Sequence, residues 1–379
     1  MPRRGESIWK RKDGRWEARY ISSRDKDGKA HYSSVYASSY QEVKLKRATA
    51  IAMLNQPVEK AHQDKAGVSF AFAACQYLAS RKGEIKESSL SRYGDLLTWY
   101  VYPQFGETSV ADITLYEIEK LSADLISHGG KSGTGLSAKT VKDTMATIKQ
   151  VIEYAVKIGF RSADSIPVEY PRQNNPPIII LSPSDQRKLR SYVLEHQSPV
   201  TIGILLALYT GIRIGEVCGL MLCDFHLDDG FLTVSRTVLR IRDTDDTSSA
   251  KTKVIISSPK SSSGNRNIPL HSELVPLLKK QIQINEHPDD TYFLTGTVNP
   301  SEPRSYYSKY KRILKKIGIQ QYTFHALRHT FATQCIEIGI DPKTLSEILG
   351  HSNVQLTLDR YVHPSLDAKR KAIERLSFK

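Results

Sequence analysis

A chain of 379 residues is long enough for two or three domains, and with 40% hydrophobic and 25% charged residues it has the profile of a soluble globular protein. No apolar run reaches the length of a membrane span, the basic N-terminus lacks the apolar core of a secretory signal, and the four scattered cysteines form no CxxC pair, which fits reduced thiols in a cytosolic protein. The net charge of +14 points to a polyanionic partner, because residues 1–60 alone hold 14 basic against 7 acidic side chains, half the excess in about a sixth of the chain.

Three blocks follow one another. In residues 1–62, Asp13-Gly14 lies between the aromatic and basic runs "SIWKRK" and "RWEARYIS", a strong hairpin signal, and Asp27-Gly28 marks a second turn. "SYQEVKLKRATAIAMLN" then has helical spacing, starting at Ser39, so a small three-stranded sheet carrying one helix is expected. Trp9, Trp16, Tyr20 and Tyr32 are expected to form its small core, leaving the interleaved Arg and Lys outward for phosphate.

Residues 63–167 read as helices with short breaks: "FAFAACQYLASR", "SSLSRYGDLLTWYVYPQFG", "ITLYEIEKLSADLIS" and "SAKTVKDTMATIKQVIEYAVKIGF". Ser89, Thr114 and Ser137 stand where N-caps are wanted, "HGGKSGTG" is a flexible loop, and the proline-rich "IPVEYPRQNNPP" is an interdomain linker. Residues 174–379 are mostly helical, with "VTIGILLALYTGI" as a buried core helix. The β-branched runs "FLTVSRTVLRI" and "KVIISSPKSSSGNRNIPL" predict a small antiparallel sheet.

Four stretches of this last block hold polar residues that a core pattern does not require. Arg213 follows the apolar helix and must find a partner, since an unpaired buried cation is costly. A salt bridge to Glu216, three positions on, and a guanidinium fork aimed at phosphate with Glu216 orienting it are both open. Lys260 lies near an expected hairpin tip and acquires meaning only if that hairpin covers a cleft. In "TFHALRHTFAT", His325 and His329 have the spacing of zinc ligands on one helix face. Ala326 stands where a zinc protease has its glutamate, however, and Arg328 between the histidines disfavours a dication and favours an anion. His351 follows a glycine helix stop and Tyr361 sits near a helix end. Two arginines, a lysine, histidine donors and a tyrosine, without a carboxylate pair or a metal triad, suit metal-free phosphoryl transfer. Cations neutralise the non-bridging oxygens, the phenol is the nucleophile, and a lysine protonates the leaving alkoxide.

"TGIRIGE", "PKSSSGNRNIPL", "HALRHTFAT" and "LGHSNVQLTLDRYVHP", in that order over residues 205–364, resemble the catalytic domain of the tyrosine recombinase (phage integrase) family. The middle block is similar to the family's helical core-binding domain. The first resembles the three-stranded arm-binding domain of integrases from Gram-positive conjugative transposons and related phages, with "SVYASSYQEVK" only loosely matched. The resemblance implies a multidomain protein: a small α+β arm-type DNA-binding domain (1–62), an all-α, SAM-like core-binding domain (63–167) and a mainly α catalytic domain with a small antiparallel sheet (174–379). Arg213 and Arg328 would clamp the scissile phosphate, and His325 and His351 would donate to it or assist proton transfer. Lys260 would be the general acid for the 5′-hydroxyl, with Lys253 as the alternative, and Tyr361 would be the nucleophile giving a 3′-phosphotyrosine; His329 would be structural.

The implied function is integration and excision of a mobile element by strand exchange through a Holliday junction, without cofactor or metal. The implied partners are double-stranded DNA at core and arm sites, gripped by a C-shaped clamp, a homo-tetramer on that DNA, and directionality factors such as an excisionase or a host DNA-bending protein. The amphipathic tail "HPSLDAKRKAIERLSFK" would dock on a neighbouring protomer. Two competing readings are a type IB topoisomerase-like relaxing enzyme, which needs no second DNA site, and a catalytically inert DNA-binding regulator, which needs no complete residue set.

Overall fold

The computed structural model describes the chain apart from residues 1–6, 12, 25–29, 38, 41–42, 45–46, 48–66, 131, 163–166, 173–176, 244–251, 259–263, 286–287, 363–369, 371–372 and 375–379. It separates into two compact units, Met1–Val68 and Ser69–Lys379.

In the first unit, β1 (Ile8–Lys10), β2 (Trp16–Arg24) and β3 (Ala30–Ala37) form an antiparallel sheet in the order β1-β2-β3, followed by helical backbone at Tyr40, Val43, Lys44 and Arg47. The expected Asp13-Gly14 turn closes the first hairpin, with Lys10 opposite Trp16 and Gly14 at φ 86°. The Asp27-Gly28 turn and most of the expected helix lie outside the described residues.

The core differs from expectation. It consists of Ile8, Ala18, Ala37 and Val43 with Trp16, Val35 and Tyr40, whereas Trp9 and Tyr32 are exposed. Strand alternation is the reason: Ile8 faces inward opposite Ala18, so Trp9, opposite Glu17, must face outward. On the outer face Arg19 lies over the Tyr32 ring at 4.9 Å, and Arg11 and Arg15 lie over Tyr36 at 5.5 and 5.8 Å.

The second unit begins with helices α1 (Phe70–Arg81) and α2 (Glu87–Leu96), a π-helical turn at Leu97–Val101, α3 (Tyr102–Phe105), α4 (Leu115–His128) and α5 (Ala138–Lys157). Pro103 lacks the N–H that a regular ladder would use, and the helix widens just before it. Thr114 and Ser137 are the expected N-caps, their hydroxyls accepting from the N–H groups of Glu117 and Thr140. Ser89 is not one: α2 starts two residues earlier, after Lys86. The apolar positions of α5 recur as Val141, Met145, Ile148, Ile152 and Ala155, one stripe that packs on α1, α2 and α4. The linker residues 167–172 carry no helix or strand.

The remainder is arranged around one buried helix. It contains α6 (Pro183–Glu195), α7 (Pro199–Thr210), α8 (Ile214–Gly219), β4 (Phe225–His226), β5 (Phe231–Val234), β6 (Thr237–Arg242), β7 (Thr252–Ser257) and β8 (Arg266–Pro269). After these come α9 (Leu274–Asn285), α10 (Pro303–Lys316), α11 (Phe324–Glu337), α12 (Pro342–Leu349) and α13 (Gln355–Tyr361). Helix α7 is apolar all round and accordingly buried all round, touched by α6, α8, α9, α10 and α11.

The strands form two small sheets rather than the one expected. β4-β5-β8 is one and the hairpin β6-β7 is the other, because β5 pairs with β8 while β6 pairs only with β7. Polar contacts tie the β6-β7 hairpin to α2: the Arg242 N–H donates to Ser91 Oγ (3.1 Å), Arg242 meets Asp95 (3.4 Å) and Lys253 meets Glu87 (2.5 Å).

Helix α7 ends at Gly211, in the left-handed region at φ 68°, where an added Cβ would lie 2.6 Å from Phe331 and 2.7 Å from Leu349. The turn therefore requires glycine for both its backbone and its neighbours. Gly211→Ala is expected to destabilise the protein by about 1–3 kcal/mol. Urea unfolding of the two proteins measures this, and an unchanged midpoint would contradict the close packing at this turn.

Candidate active site

Four chain segments converge behind Gly211. Arg328, on the buried face of α11, is 1% exposed. Its guanidinium donates to two helix ends, from Nη1 to the Gly211 carbonyl (2.8 Å) and from Nη2 to the Leu349 carbonyl (2.9 Å). These carbonyls carry the negative ends of α7 and α12, so among the described residues the cation is held without a carboxylate partner. Burial, and then Arg213 nearby, lower its pKa to about 9.

Arg213 is the N-cap residue of α8. Glu216, at the third position of that helix, reaches back to the Arg213 N–H (2.9 Å) and accepts from its Nη1 (2.7 Å). The Arg213 side chain is 41% exposed and Glu216 only 8%. The salt bridge and the free fork, which the sequence left as alternatives, thus coexist: Glu216 fixes one edge of the guanidinium and the rest faces the cavity. Glu216 also accepts from the buried Arg266 (3.0 Å), whose Nε donates to the Ile348 carbonyl (2.6 Å). Burial opposes ionisation of Glu216, yet Arg266 and Arg213 hold its pKa below the ordinary value.

Helix α12 stops at Gly350 (φ 65°), whose N–H bonds to the Glu347 carbonyl while the His351 N–H bonds to that of Ser346. This Schellman turn delivers His351 beside the arginines. His351 Nδ1 is 2.7 Å from Oγ1 of the buried Thr357, and Thr357 and Tyr361 are four apart on α13, on one helix face. Tyr361 is 8% exposed, and its Oη lies 2.8 Å from His329 Nδ1.

Arg213, His325, Arg328, His351, Arg360 and Tyr361, with Ile178, Ile180 and Leu356, line an open cavity of about 1030 Å³. Burial and the surrounding guanidiniums lower the pKa of His325, His329 and His351 to about 4 each. Burial raises that of Tyr361, while Arg328 and Arg360 oppose the shift. The site therefore holds neutral imidazoles, a protonated phenol and several guanidiniums. It can bind an anion, donate hydrogen bonds to it and present a nucleophile.

Five of the six residues singled out in the sequence stand at this cavity. The sixth, Lys260, lies outside the described residues. The strands on either side of it, β7 and β8, belong to different sheets, so they do not make the hairpin expected around it. Lys253, the alternative, sits on β7, held by Glu87 and by Asp243 at 3.8 Å. His325 and His329 do share a helix face, with ring centroids 4.4 Å apart, but among the described residues no group of three His, Cys, Asp or Glu side chains could hold a metal ion. Sequence reasoning assigned His329 to packing and passed over Arg360 and Arg266. The i, i+4 spacing from His325 was the available signal for His329; Arg266 is brought in by a strand pairing no local pattern encodes.

Residues 180–367 match the model of the phage integrase family. A XerC-like tyrosine recombinase of Caldanaerobacter subterraneus is 30% identical over 263 residues, covering 64% of this chain and 67% of the relative. The transposase of transposon Tn916 from Enterococcus faecalis is 31% identical over 189 residues, which is 46% of this chain and 44% of that relative. Among solved structures, the Tn1549 transposon integrase bound to transposon right end DNA superposes with a TM-score of 0.64 at 24% identity, over 80% of this chain and 98% of that one. A lambda integrase tetramer on a Holliday junction gives 0.55 at 18% identity, over 92% and 96%. At these identities the two structures establish a common fold.

Because the three imidazoles are neutral in the folded state, the unfolded chain takes up protons below about pH 6.5 that the folded chain refuses until about pH 4. The stability they contribute is complete above that window and falls as the pH drops through it. His351→Asn is expected to lose less stability than wild type between pH 6.5 and 4 in urea unfolding; parallel losses would contradict the assignment. Glu216→Gln leaves Arg266 buried without its counter-charge and is expected to cost about 3–5 kcal/mol, read by the same unfolding measurement.

Proposed function

This chain belongs to the phage integrase family of tyrosine recombinases, and we propose that it integrates and excises a mobile element by site-specific strand exchange. The single observation that carries this reading is the convergence of Arg213, His325, Arg328, His351 and Tyr361 on one cavity. A pocket lined by Arg213, Arg328 and Arg360 and holding a protonated phenol fits a phosphodiester.

In the proposed reaction, Arg213 and Arg328 neutralise the non-bridging oxygens of the scissile phosphate, and His325 and His351 donate to them as charge builds in the transition state. Tyr361 attacks phosphorus, giving a 3′-phosphotyrosine and a free 5′-hydroxyl. Lys260 protonates the departing oxygen. The phosphotyrosine keeps the energy of the broken phosphodiester, so a 5′-hydroxyl from a second duplex reverses the step and yields a Holliday junction.

The relatives point the same way: one is a transposon's transposase, and integrases of the same fold were solved on transposon-end DNA and, as a tetramer, on a Holliday junction. We assign residues 63–167 to core-site DNA, 174–379 to catalysis and the exposed Arg and Tyr face of residues 1–62 to arm-site DNA. The active form would be a tetramer assembled on DNA in the cytoplasm, with excisionase or bending factors setting direction. A second DNA-binding unit disfavours simple relaxation, and a filled nucleophile position disfavours an inert regulator.

A nicked suicide duplex carrying the ends of the element is expected to trap a covalent protein–DNA adduct. Tyr361→Phe should abolish the adduct while retaining DNA affinity. Absence of any adduct with such DNA, or its persistence in Tyr361→Phe, overturns the reading, and plasmid relaxation without exchange between paired sites would favour a relaxing enzyme.

A further inference from the structure

Formation of the phosphotyrosine requires that the phenol lose its proton, and the cavity contains several groups near enough to be considered. Among the described residues, Tyr361 Oη is hydrogen-bonded to His329 Nδ1 at 2.8 Å, and the Arg328 guanidinium is near enough to oppose the rise of its pKa. An arginine in a protein only donates, so it can stabilise a phenolate but cannot accept the phenol hydrogen. His329 is the neighbour with a lone pair to offer, provided its own proton sits on Nε2. Among the described residues neither His325 nor His351 is hydrogen-bonded to Tyr361: His351 Nδ1 is engaged with Thr357, and His325 meets His329 edge-on with ring planes at 83°.

His329 and Tyr361 are 32 residues apart in the chain. They meet because α11 and α13 pack together, and their rings lie 5.7 Å apart. We propose that His329 is the general base of the cleavage step, orienting the Tyr361 hydroxyl through Nδ1 and accepting its proton as the nucleophile attacks. The proposal rests on the recombinase reading above.

The step balances without a co-reactant. The Tyr361 Oη–H bond breaks and the proton passes to His329 Nδ1; the Oη–P bond forms as P–O5′ breaks, and the 5′-oxygen takes a proton from the general acid. In religation the same proton returns from His329 to Oη. The buried guanidiniums disfavour an imidazolium beside them, and the negative charge of a bound phosphate offsets that penalty. Tyr361 thus stays protonated and inert until a phosphate is clamped.

The test uses the full chain and the nicked suicide duplex. Wild type forms the adduct, His329→Ala forms it 10²- to 10⁴-fold more slowly at unchanged DNA affinity, and added imidazole restores the rate by occupying the space the side chain leaves. His329→Asn, which refills that space without a base of comparable strength, is expected to be equally slow and not rescued. A His329→Ala rate within threefold of wild type overturns the proposal, as does a slow variant with normal DNA affinity that imidazole does not rescue. Failure of wild type itself to form an adduct would count against the recombinase reading.

Discussion

The site depends on one buried guanidinium. Arg328 is inside the protein with no carboxylate partner among the described residues, held by the terminal carbonyls of α7 and α12. A cation so placed is costly to desolvate, and two helix-end carbonyls offset only part of that cost. Arg328 also lines the open cavity, where an anion would offset the rest. Its two acceptors also fix two helix ends relative to each other, and the Gly211 and Gly350 turns that follow those ends deliver Arg213 and His351. One side chain therefore sets the positions of three of the proposed phosphate ligands.

Around it the charges form a hierarchy. Glu216 is the carboxylate that holds both Arg213 and Arg266, and Arg266 in turn fastens to the last turn of α12 through Ile348. The acidic group sits behind the arginines, where it orients them without lining the cavity. Placing the Glu216 charge there lets the like-charged Arg213 and Arg266 remain close together, while the carboxylate at the cavity, Asp359, is on α13. It also gives a preorganised electrostatic site, whose donors need not rearrange as charge develops on phosphorus.

The proposed nucleophile, Tyr361, is held more lightly. Helix α13 is short, and it is anchored through Thr357 to His351 and through Tyr361 to His329. Both anchors are hydrogen bonds to neutral imidazoles, so the placement of Tyr361 is tied to the protonation of His329 and His351. The polar contacts between α2 and the β6-β7 hairpin are exchangeable in a similar way. They join partly exposed charges that salt screens, and a polyanion can compete for them.

Much of this was legible from order in the chain. Helix α7 announced itself by unbroken apolarity, Thr114 and Ser137 by capping chemistry, and the Asp13-Gly14 hairpin by turn chemistry, because each is set by residues within a few positions. Arg213, His325, Arg328, His351 and Tyr361 could be named because their motifs are local strings. Their roles were another matter. Whether Arg213 was neutralised or free depended on the exposure of two side chains, and His329 passed for packing because its partner lies 32 positions away. The first unit's core was misjudged for the same reason: which aromatic faces inward depends on strand register, and one residue of register exchanges the faces. Sequence alone determined the elements and the chemical repertoire, through short-range sterics and hydrogen bonding. Tertiary structure alone decided which groups share a cavity and which imidazole stands beside Tyr361, because those contacts join distant segments that only packing brings together.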